Sequence, residues 1–123
     1  MTTLNNRKPE PLESAIQKHL IKVLEQQGWY VQKTEGRSRN GFPDVTAVDT
    51  FGNVWFIELK RTVGKPSPDQ CRELKALAEH NANVILLYGM KAVDTFHRNW
   101  ADLTHHHILV VDSEGKMRWT EEI

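Results

Sequence analysis

Hydrophobic residues recur at helical spacing in some segments of the chain and in short apolar or alternating runs in others. Residues 11–27 carry apolar side chains every three or four positions, which predicts an amphipathic helix that stops at Gly28. Shorter runs at residues 29–33, 44–48 and 53–60 fit strands, and a turn joins the last two as a hairpin. The first half of the chain therefore predicts one helix followed by three strands.

The second half continues with alternating helices and strands. Ser67 and Gln70 flank a Pro-Asp pair in the pattern of a helix N-cap with a capping box, so a helix is predicted to begin there. Residues 84–88 form a continuous apolar run, which favours a strand buried on both faces and parallel to a neighbour. The remaining elements are a helix and a terminal hairpin: residues 92–101, 106–112 and 117–120.

The predicted order is α-β-β-β-α-β, followed by an added helix and a C-terminal β-hairpin. This order gives the fold class α/β, with a mixed sheet flanked by helices. No segment repeats internally, so we expect residues 11–123 to form a single domain. The polar residues 1–10 are expected to be a flexible N-terminal arm.

Composition narrows the classes of protein that remain. The lone Cys71 excludes an internal disulfide and favours a reducing compartment. No apolar stretch is long enough to span a bilayer, and the first ten residues lack the core of a signal peptide, so we expect a cytoplasmic protein without a membrane partner. The chain has sixteen basic and sixteen acidic residues, which argues against binding of nucleic acid by bulk charge. Binding through a local cluster of basic residues remains an alternative.

Three charged residues lie at strand ends of the predicted hairpin, where charge is costly. Glu58 and Lys60 are two positions apart and project from one face of a strand. The residues before them, 54–57, are apolar on both faces, as in a buried strand, and charges at such an end need a partner or a metal ion. Asp44 opens the preceding strand, and the hairpin can bring it beside Glu58. These residues therefore predict a cation site with a lysine next to it.

The arrangement resembles the PD-(D/E)xK nuclease superfamily and, more narrowly, its VRR-NUC domain branch of virus-type replication–repair nucleases. The resemblance rests on three sequences: Gly-Phe-Pro-Asp ending at Asp44, Glu-Leu-Lys ending at Lys60, and Ser-Pro-Asp-Gln ending at Gln70. It covers the chain from the first helix to at least Tyr88. The resemblance implies a restriction-endonuclease-like core and an enzyme that hydrolyses phosphodiester bonds with metal-activated water.

The resemblance also implies a role for each residue of the site. Mg²⁺ or Mn²⁺, which prefer carboxylate and carbonyl oxygens, would be bound by Asp44, Glu58 and the backbone carbonyl of Leu59. Lys60 would orient the attacking water and offset developing negative charge. Glu13, near the start of the first helix, would be a further metal ligand.

Several of these residues also have a purely structural interpretation. Glu58 and Lys60 could form a surface ion pair, which would contribute little to stability. Glu13 could simply favour the N-terminus of its helix, with Gln17 as a neighbour that lines the site. Gln70, which the resemblance places in the catalytic site, is also explained by the capping box, and one side chain cannot easily serve both roles.

Basic residues on either side of the predicted site are candidates for binding the nucleic-acid backbone. They lie on the strand and loop before Asp44 and in the loop after Lys60: Lys33, Arg37, Arg39, Arg61 and Lys65. Gly36 and Gly41 would let the loop backbone approach a sugar–phosphate chain. Three histidines, residues 105–107, would permit metal chelation, but no cysteine or nearby acid completes a zinc set, so a polar strand end is the simpler interpretation.

We therefore expect a Mg²⁺- or Mn²⁺-dependent, structure-specific DNA nuclease. A catalytic core without an added recognition domain favours branched or flapped DNA, including Holliday junctions, and a role in DNA repair. A homodimer paired through the strands after Leu103 would present two sites to such a substrate, and no nucleotide cofactor is expected. Three alternatives stay open: a restriction-type nuclease subunit, an RNA-directed nuclease, and a non-catalytic nucleic-acid-binding module, which would be expected to lose Asp44, Glu58 or Lys60.

Overall fold

A computed structural model of the chain describes residues 11–34, 40–103 and 107–123. The elements in these segments are α1 (Glu13–Gln26), β1 (Tyr30–Lys33), β2 (Val45–Val48), β3 (Val54–Lys60), α2 (Pro68–Glu79), β4 (Asn83–Tyr88), α3 (Gly89–Asn99), a 3-10 helix (Trp100–Asp102), β5 (Ile108–Val111) and β6 (Met117–Thr120). The predicted order is confirmed. The expected arm, residues 1–10, lies outside the described residues. None of the described helices combines the length and the hydropathy needed to cross a membrane.

The strands form one mixed sheet in the order β1-β2-β3-β4-β5-β6. β1, β2 and β3 are antiparallel neighbours, β4 and β5 run parallel to β3, and β6 returns antiparallel to β5. Because β3 and β4 are parallel, their C-terminal ends lie at the same edge of the sheet. This architecture confirms the predicted α/β class, a mixed sheet flanked by helices.

The hydrophobic core lies on both faces of the sheet. On one face α1 and α3 pack against the strands, and Leu20 and Phe96 are fully buried there. On the other face α2 packs against β4 and β5 through Leu74. Successive residues of β4, such as Ile85 and Leu86, point into opposite cores. This burial on both faces explains the uninterrupted apolar run of β4.

Two hairpins, β2–β3 and β5–β6, are closed by the same arrangement of an aspartate and a glycine. Asp49 and Asp112 each follow a strand, and each carboxylate accepts hydrogen bonds from two backbone N–H groups of the turn at 2.8–3.0 Å. Gly52 and Gly115, three residues further on, have left-handed backbone angles, which glycine adopts without strain. The sequence carries this signal at both turns as Asp-x-x-Gly.

Asp49 differs from Asp112 because it also belongs to the core. Its second carboxylate oxygen accepts a hydrogen bond from the indole N–H of Trp55 at 2.8 Å, and its side chain is buried. Burial alone would raise the pKa of Asp49, but the hydrogen bonds from Trp55 and from the backbone of Asn53 and Phe51 outweigh burial and lower the pKa. The ionised carboxylate therefore fixes the β2–β3 hairpin.

Replacing Asp49 with Asn keeps the shape of the side chain but weakens the acceptor for the buried indole N–H. We expect D49N to lower the free energy of unfolding by about 2 kcal/mol, which is typical for an unsatisfied buried donor. D112N changes the equivalent hydrogen bonds of the other turn, where no buried indole is involved, so its free energy of unfolding should fall by less. Urea unfolding of both variants measures the difference, and equal losses would show that the Trp55 hydrogen bond contributes nothing.

Candidate active site

The β2–β3 hairpin brings the predicted acidic residues together at one edge of the sheet. Its register pairs Val45 with Ile57, so Asp44, one residue before β2, stands opposite Glu58. One carboxylate oxygen of Asp44 accepts a hydrogen bond from the backbone N–H of Leu59 at 2.9 Å. Asp44 is thereby fixed against the end of β3, beside Glu58.

The charged end of β3 is its more deeply buried end. Glu58 is fully buried and Lys60 is 9% exposed, whereas Val54 at the start of the strand is 42% exposed. The prediction that both faces of residues 54–57 are buried is therefore wrong at Val54, because the pairing with β4 begins only at Trp55. Lys60 Nζ lies 3.6 Å from Glu58 Oε2, and burial of both groups excludes a surface ion pair.

The Glu-x-Lys spacing occurs three times in the chain, at residues 58–60, 73–75 and 114–116, and the last of these shows what burial adds. Glu114 and Lys116 have the same spacing, and their charged atoms lie 3.8 Å apart in the β5–β6 turn. Their side chains are 73% and 79% exposed, so water solvates both charges and no further ligand is needed. Spacing alone therefore does not distinguish residues 58–60 from residues 114–116, whereas burial does.

Glu13, the first residue of α1, completes a group of three carboxylates. Side-chain oxygens of Glu13, Asp44 and Glu58 all lie within 4.8 Å of one another. A cavity of about 230 Å³ opens beside them, and its lining residues are Glu13, Ser14, Gln17, Asp44 and Leu59. The predicted convergence of Asp44 and Glu58 is thus present, with Glu13 and Gln17 brought in by α1. Sequence reasoning missed Ser14, whose only signal is its place beside Glu13.

The three carboxylates fit a divalent cation. They offer the oxygen donors that Mg²⁺ and Mn²⁺ prefer. Both oxygens of Glu58 are buried and have no hydrogen-bond partner within the described segments. Lys60 offsets the charge of an ionised Glu58 only in part, so that charge is costly in the buried site, and a bound cation would remove that cost.

The pKa of Glu58 reflects these surroundings. Burial raises it, the charge of Asp44 raises it further, and Lys60 opposes the two effects only in part, which leaves the pKa at about 8. In the metal-free protein Glu58 is therefore mostly protonated at neutral pH. Binding of a cation has to displace this proton.

Gln70 is engaged in the capping box of α2. Its side-chain oxygen accepts a hydrogen bond from the backbone N–H of Ser67 at 2.8 Å, and the Ser67 hydroxyl oxygen accepts one from the backbone N–H of Gln70 at 3.1 Å. The predicted capping box is confirmed. Gln70 is not among the residues that line the cavity, and its catalytic role stays a prediction.

The loop before Asp44 rests on the N-terminus of α2. Gly41 has a φ of +83°, and a Cβ at this position would lie 2.7 Å from the backbone nitrogen of Gln70 and closer still to the Asp69 carbonyl. The structure therefore gives Gly41 a reason other than the predicted approach of a sugar–phosphate chain. Only glycine lets the loop that leads into Asp44 contact α2.

The predicted basic residues are described only in part. Lys33 is exposed at the end of β1, Lys65 is exposed in the loop before α2, and Arg61 is half-buried. The predicted residues that lie outside the described segments are Gly36, Arg37, Arg39, His105 and His106. His107, the last of the three histidines, has its Nε2 3.2 Å from a carboxylate oxygen of Glu121. The roles of the basic residues in binding nucleic acid stay predictions.

Comparison with known proteins agrees with this geometry. A solved structure described as "VRR_NUC domain" matches with a TM-score of 0.66 and 31% sequence identity, over 72% of this chain and 96% of that one. A protein named "Putative nuclease p44", from Acyrthosiphon pisum secondary endosymbiont phage 1, is 33% identical over 75 residues, which are 61% of this chain and 81% of that protein. No family model matches the chain.

The mixed sheet, with acidic residues gathered at one edge, places the chain in the PD-(D/E)xK class of folds. Within this class the chain belongs to the VRR-NUC domain family, since it spans nearly the whole of the solved domain at 31% identity. The family predicted from the sequence motifs is therefore confirmed.

Replacing Glu58 with Gln removes a carboxylate whose ionisation destabilises the metal-free protein. Because the pKa of Glu58 is raised from 4.5 to about 8, the wild-type protein loses stability as the pH rises through this range, and E58Q is spared this loss. The melting temperatures of E58Q and the wild type are compared in EDTA at about pH 5 and pH 8. The advantage of E58Q over the wild type should be larger at pH 8 than at pH 5 by about 5 °C or more. A difference that stays constant over this range would contradict the raised pKa.

Proposed function

We propose that the chain is a divalent-cation-dependent nuclease that hydrolyses phosphodiester bonds in DNA. The observation that carries this proposal is the convergence of oxygens from Glu13, Asp44 and Glu58 within 4.8 Å of one another, next to the buried Lys60. Membership of the VRR-NUC domain family supports the proposal, as does the name of the phage relative.

The carboxylates would hold the cation, with the backbone carbonyl of Leu59 as a further donor. When bound, a divalent cation stabilises negative charge on phosphate oxygens and lowers the pKa of water. Asp44 is already fixed by the hydrogen bond from the Leu59 N–H, and α1, which begins at Glu13, brings the third carboxylate to the site. The cavity beside these groups would receive the phosphate.

Lys60 would orient the attacking water and offset the negative charge that develops on the phosphate. Its side chain is 11% exposed, so water hydrates its ammonium group poorly and leaves its N–H donors for the reacting groups. Because Nζ lies 3.6 Å from Glu58 Oε2, it can reach an oxygen atom bound next to the carboxylates.

Gln70 would act in the site through its amide N–H₂ group, because its oxygen is engaged in the capping box. That amide group donates no hydrogen bond within the described segments of the chain. It is therefore available to donate to the substrate, which would reconcile the capping role with the catalytic role implied by the family resemblance.

Branched or flapped DNA, including the four-way junction, is the substrate class that we propose. A symmetric homodimer would present two sites to a branched substrate. This arrangement would suit an enzyme of DNA repair, with Mg²⁺ or Mn²⁺ as the cation.

The activity of K60A tests the proposed chemistry. Loss of the buried ammonium group should lower the rate of DNA cleavage in Mg²⁺ or Mn²⁺ by about 100-fold or more. K116A is the matched control, because it removes a lysine with the same spacing from its glutamate at an exposed site, and it should cut at the wild-type rate. Cleavage by K60A at full rate, or by the wild type in EDTA, would contradict the proposal.

The same assay on several substrates decides between the alternatives. Labelled four-way, flapped and linear DNA are compared with RNA of the same sequence, and we expect the branched DNA forms to be cut fastest. Cutting at one short linear sequence would instead support a restriction-type nuclease, and faster cutting of RNA would support an RNA-directed one. Binding without cutting in either metal would support a non-catalytic module.

A further inference from the structure

The outer surface of α1 continues directly from the cavity of the candidate site. Ser14 and Gln17, in the first turns of the helix, line that cavity. A second, open depression begins at the next residue and runs along the same helix; its lining residues are Lys18, Ile21, Lys22, Glu25 and Gln26. One helix therefore carries both the candidate metal ligand Glu13 and a solvent-facing track that leads away from it.

The positive charges on this track are not used by the fold. Lys18 and Lys22 are exposed, and neither forms an ion pair within the described segments. Lysines and arginines elsewhere in the chain differ in this respect. Arg72 holds Asp69, Lys75 holds Glu122 and Lys116 holds Glu114. Five others are exposed and form no ion pair among the described residues: Lys33, Lys65, Lys91, Arg98 and Arg118. Lys18 and Lys22 are set apart by their place: both line the track that continues from the cavity, and they outnumber its one acidic residue, Glu25, which favours an anion there.

The spacing of the two lysines suits consecutive phosphates of one nucleic-acid strand. They are four residues apart on one helix face, about 6 Å along the axis, which is comparable to the separation of neighbouring phosphates along a strand. The side-chain amide of Gln17 makes no hydrogen bond within the described part of the chain and lies between the cavity and Lys18. Ile21 adds an apolar contact between the lysines.

We propose that the outer face of α1 binds the DNA strand that leaves the catalytic cavity, with Lys18 and Lys22 each contacting one phosphate and Gln17 the phosphate nearest the cavity. This inference rests on the proposed function, because it takes the cavity as the place of cleavage. This surface is separate from the basic residues that the sequence predicts to bind nucleic acid. Those residues come from the β1 sequence and from the sequences before Asp44 and after Lys60. It makes α1 a guide for the substrate as well as the source of a metal ligand.

The first test compares two double variants that change the net charge equally. Binding of a fluorescein-labelled forked DNA is measured by anisotropy in EDTA, where no cutting is expected. K18A/K22A should weaken binding by about 5- to 20-fold and reduce the slope of log affinity against log salt by about 2, since each lost phosphate contact contributes about 0.9. K75A/K116A should weaken binding by less than about two-fold, because both lysines already hold carboxylates.

The second test locates the contacted phosphates on the DNA. Single phosphates next to the cleavage site, which wild-type cutting in Mn²⁺ identifies, are replaced by neutral methylphosphonates. Replacement of the contacted ones should weaken binding by the wild type but not by K18A/K22A, since the charge contact is already gone in the variant. Circular dichroism and melting temperatures of the variants exclude a loss of folding as the cause.

The outcomes separate this inference from the proposed function. Equal binding by K18A/K22A and K75A/K116A, or no saturable binding of DNA by the wild type, would overturn the assignment to α1. Tighter binding of an RNA fork of the same sequence would overturn the choice of DNA. A wild-type protein that cuts no substrate in any metal would instead contradict the proposed function, and the anisotropy comparison would still decide whether α1 binds the strand.

Discussion

The buried carboxylate of Glu58 is the feature on which the rest of the site depends. It is fully buried without a hydrogen-bond partner among the described residues, beside Asp44 and with Lys60 Nζ at 3.6 Å. An ionised carboxylate in such a place is unfavourable unless a proton or a cation compensates its charge. The position that weakens the metal-free fold as the pH rises is therefore the same position that would favour cation binding. Stability and the proposed activity are coupled through one side chain.

Three separate elements hold the surrounding groups against this carboxylate. The β2–β3 hairpin, closed at its far end by Asp49, sets the register that places Asp44 opposite Glu58. The loop before Asp44 packs on α2, which is where a glycine is needed. On the opposite face of the sheet, α1 carries Glu13 and is tied to α3 by a hydrogen bond of 2.7 Å between His19 Nε2 and Asp94 Oδ1. The carboxylates thus converge because strands, a loop and a helix meet at one edge.

Much of this arrangement follows from local sequence, and the remainder depends on tertiary packing. Periodicity, turn residues and the capping box at Gln70 predict the order of elements, because each reports on a few neighbouring residues. The spacing of a glutamate and a lysine is a weaker indicator of the site, because Glu114 and Lys116 have the same spacing in an exposed turn. The approach of Glu13 to the strands depends on how α1 packs, and the need for Gly41 depends on α2, which begins 27 residues later (68 − 41). Neither can be derived from spacing along the chain, and only the family resemblance indicated Glu13.

Calorimetric titration of the wild-type protein with Mn²⁺, repeated at pH 7 in buffers of different ionisation enthalpy, tests the coupling most directly. Because the pKa of Glu58 is about 8 in the metal-free protein, binding should release close to one proton, about 0.9 on average. The E58Q protein should release none through this position. Mn²⁺ binding without proton release by the wild type, or with the same release by E58Q, would contradict a cation site built on the Glu58 carboxylate.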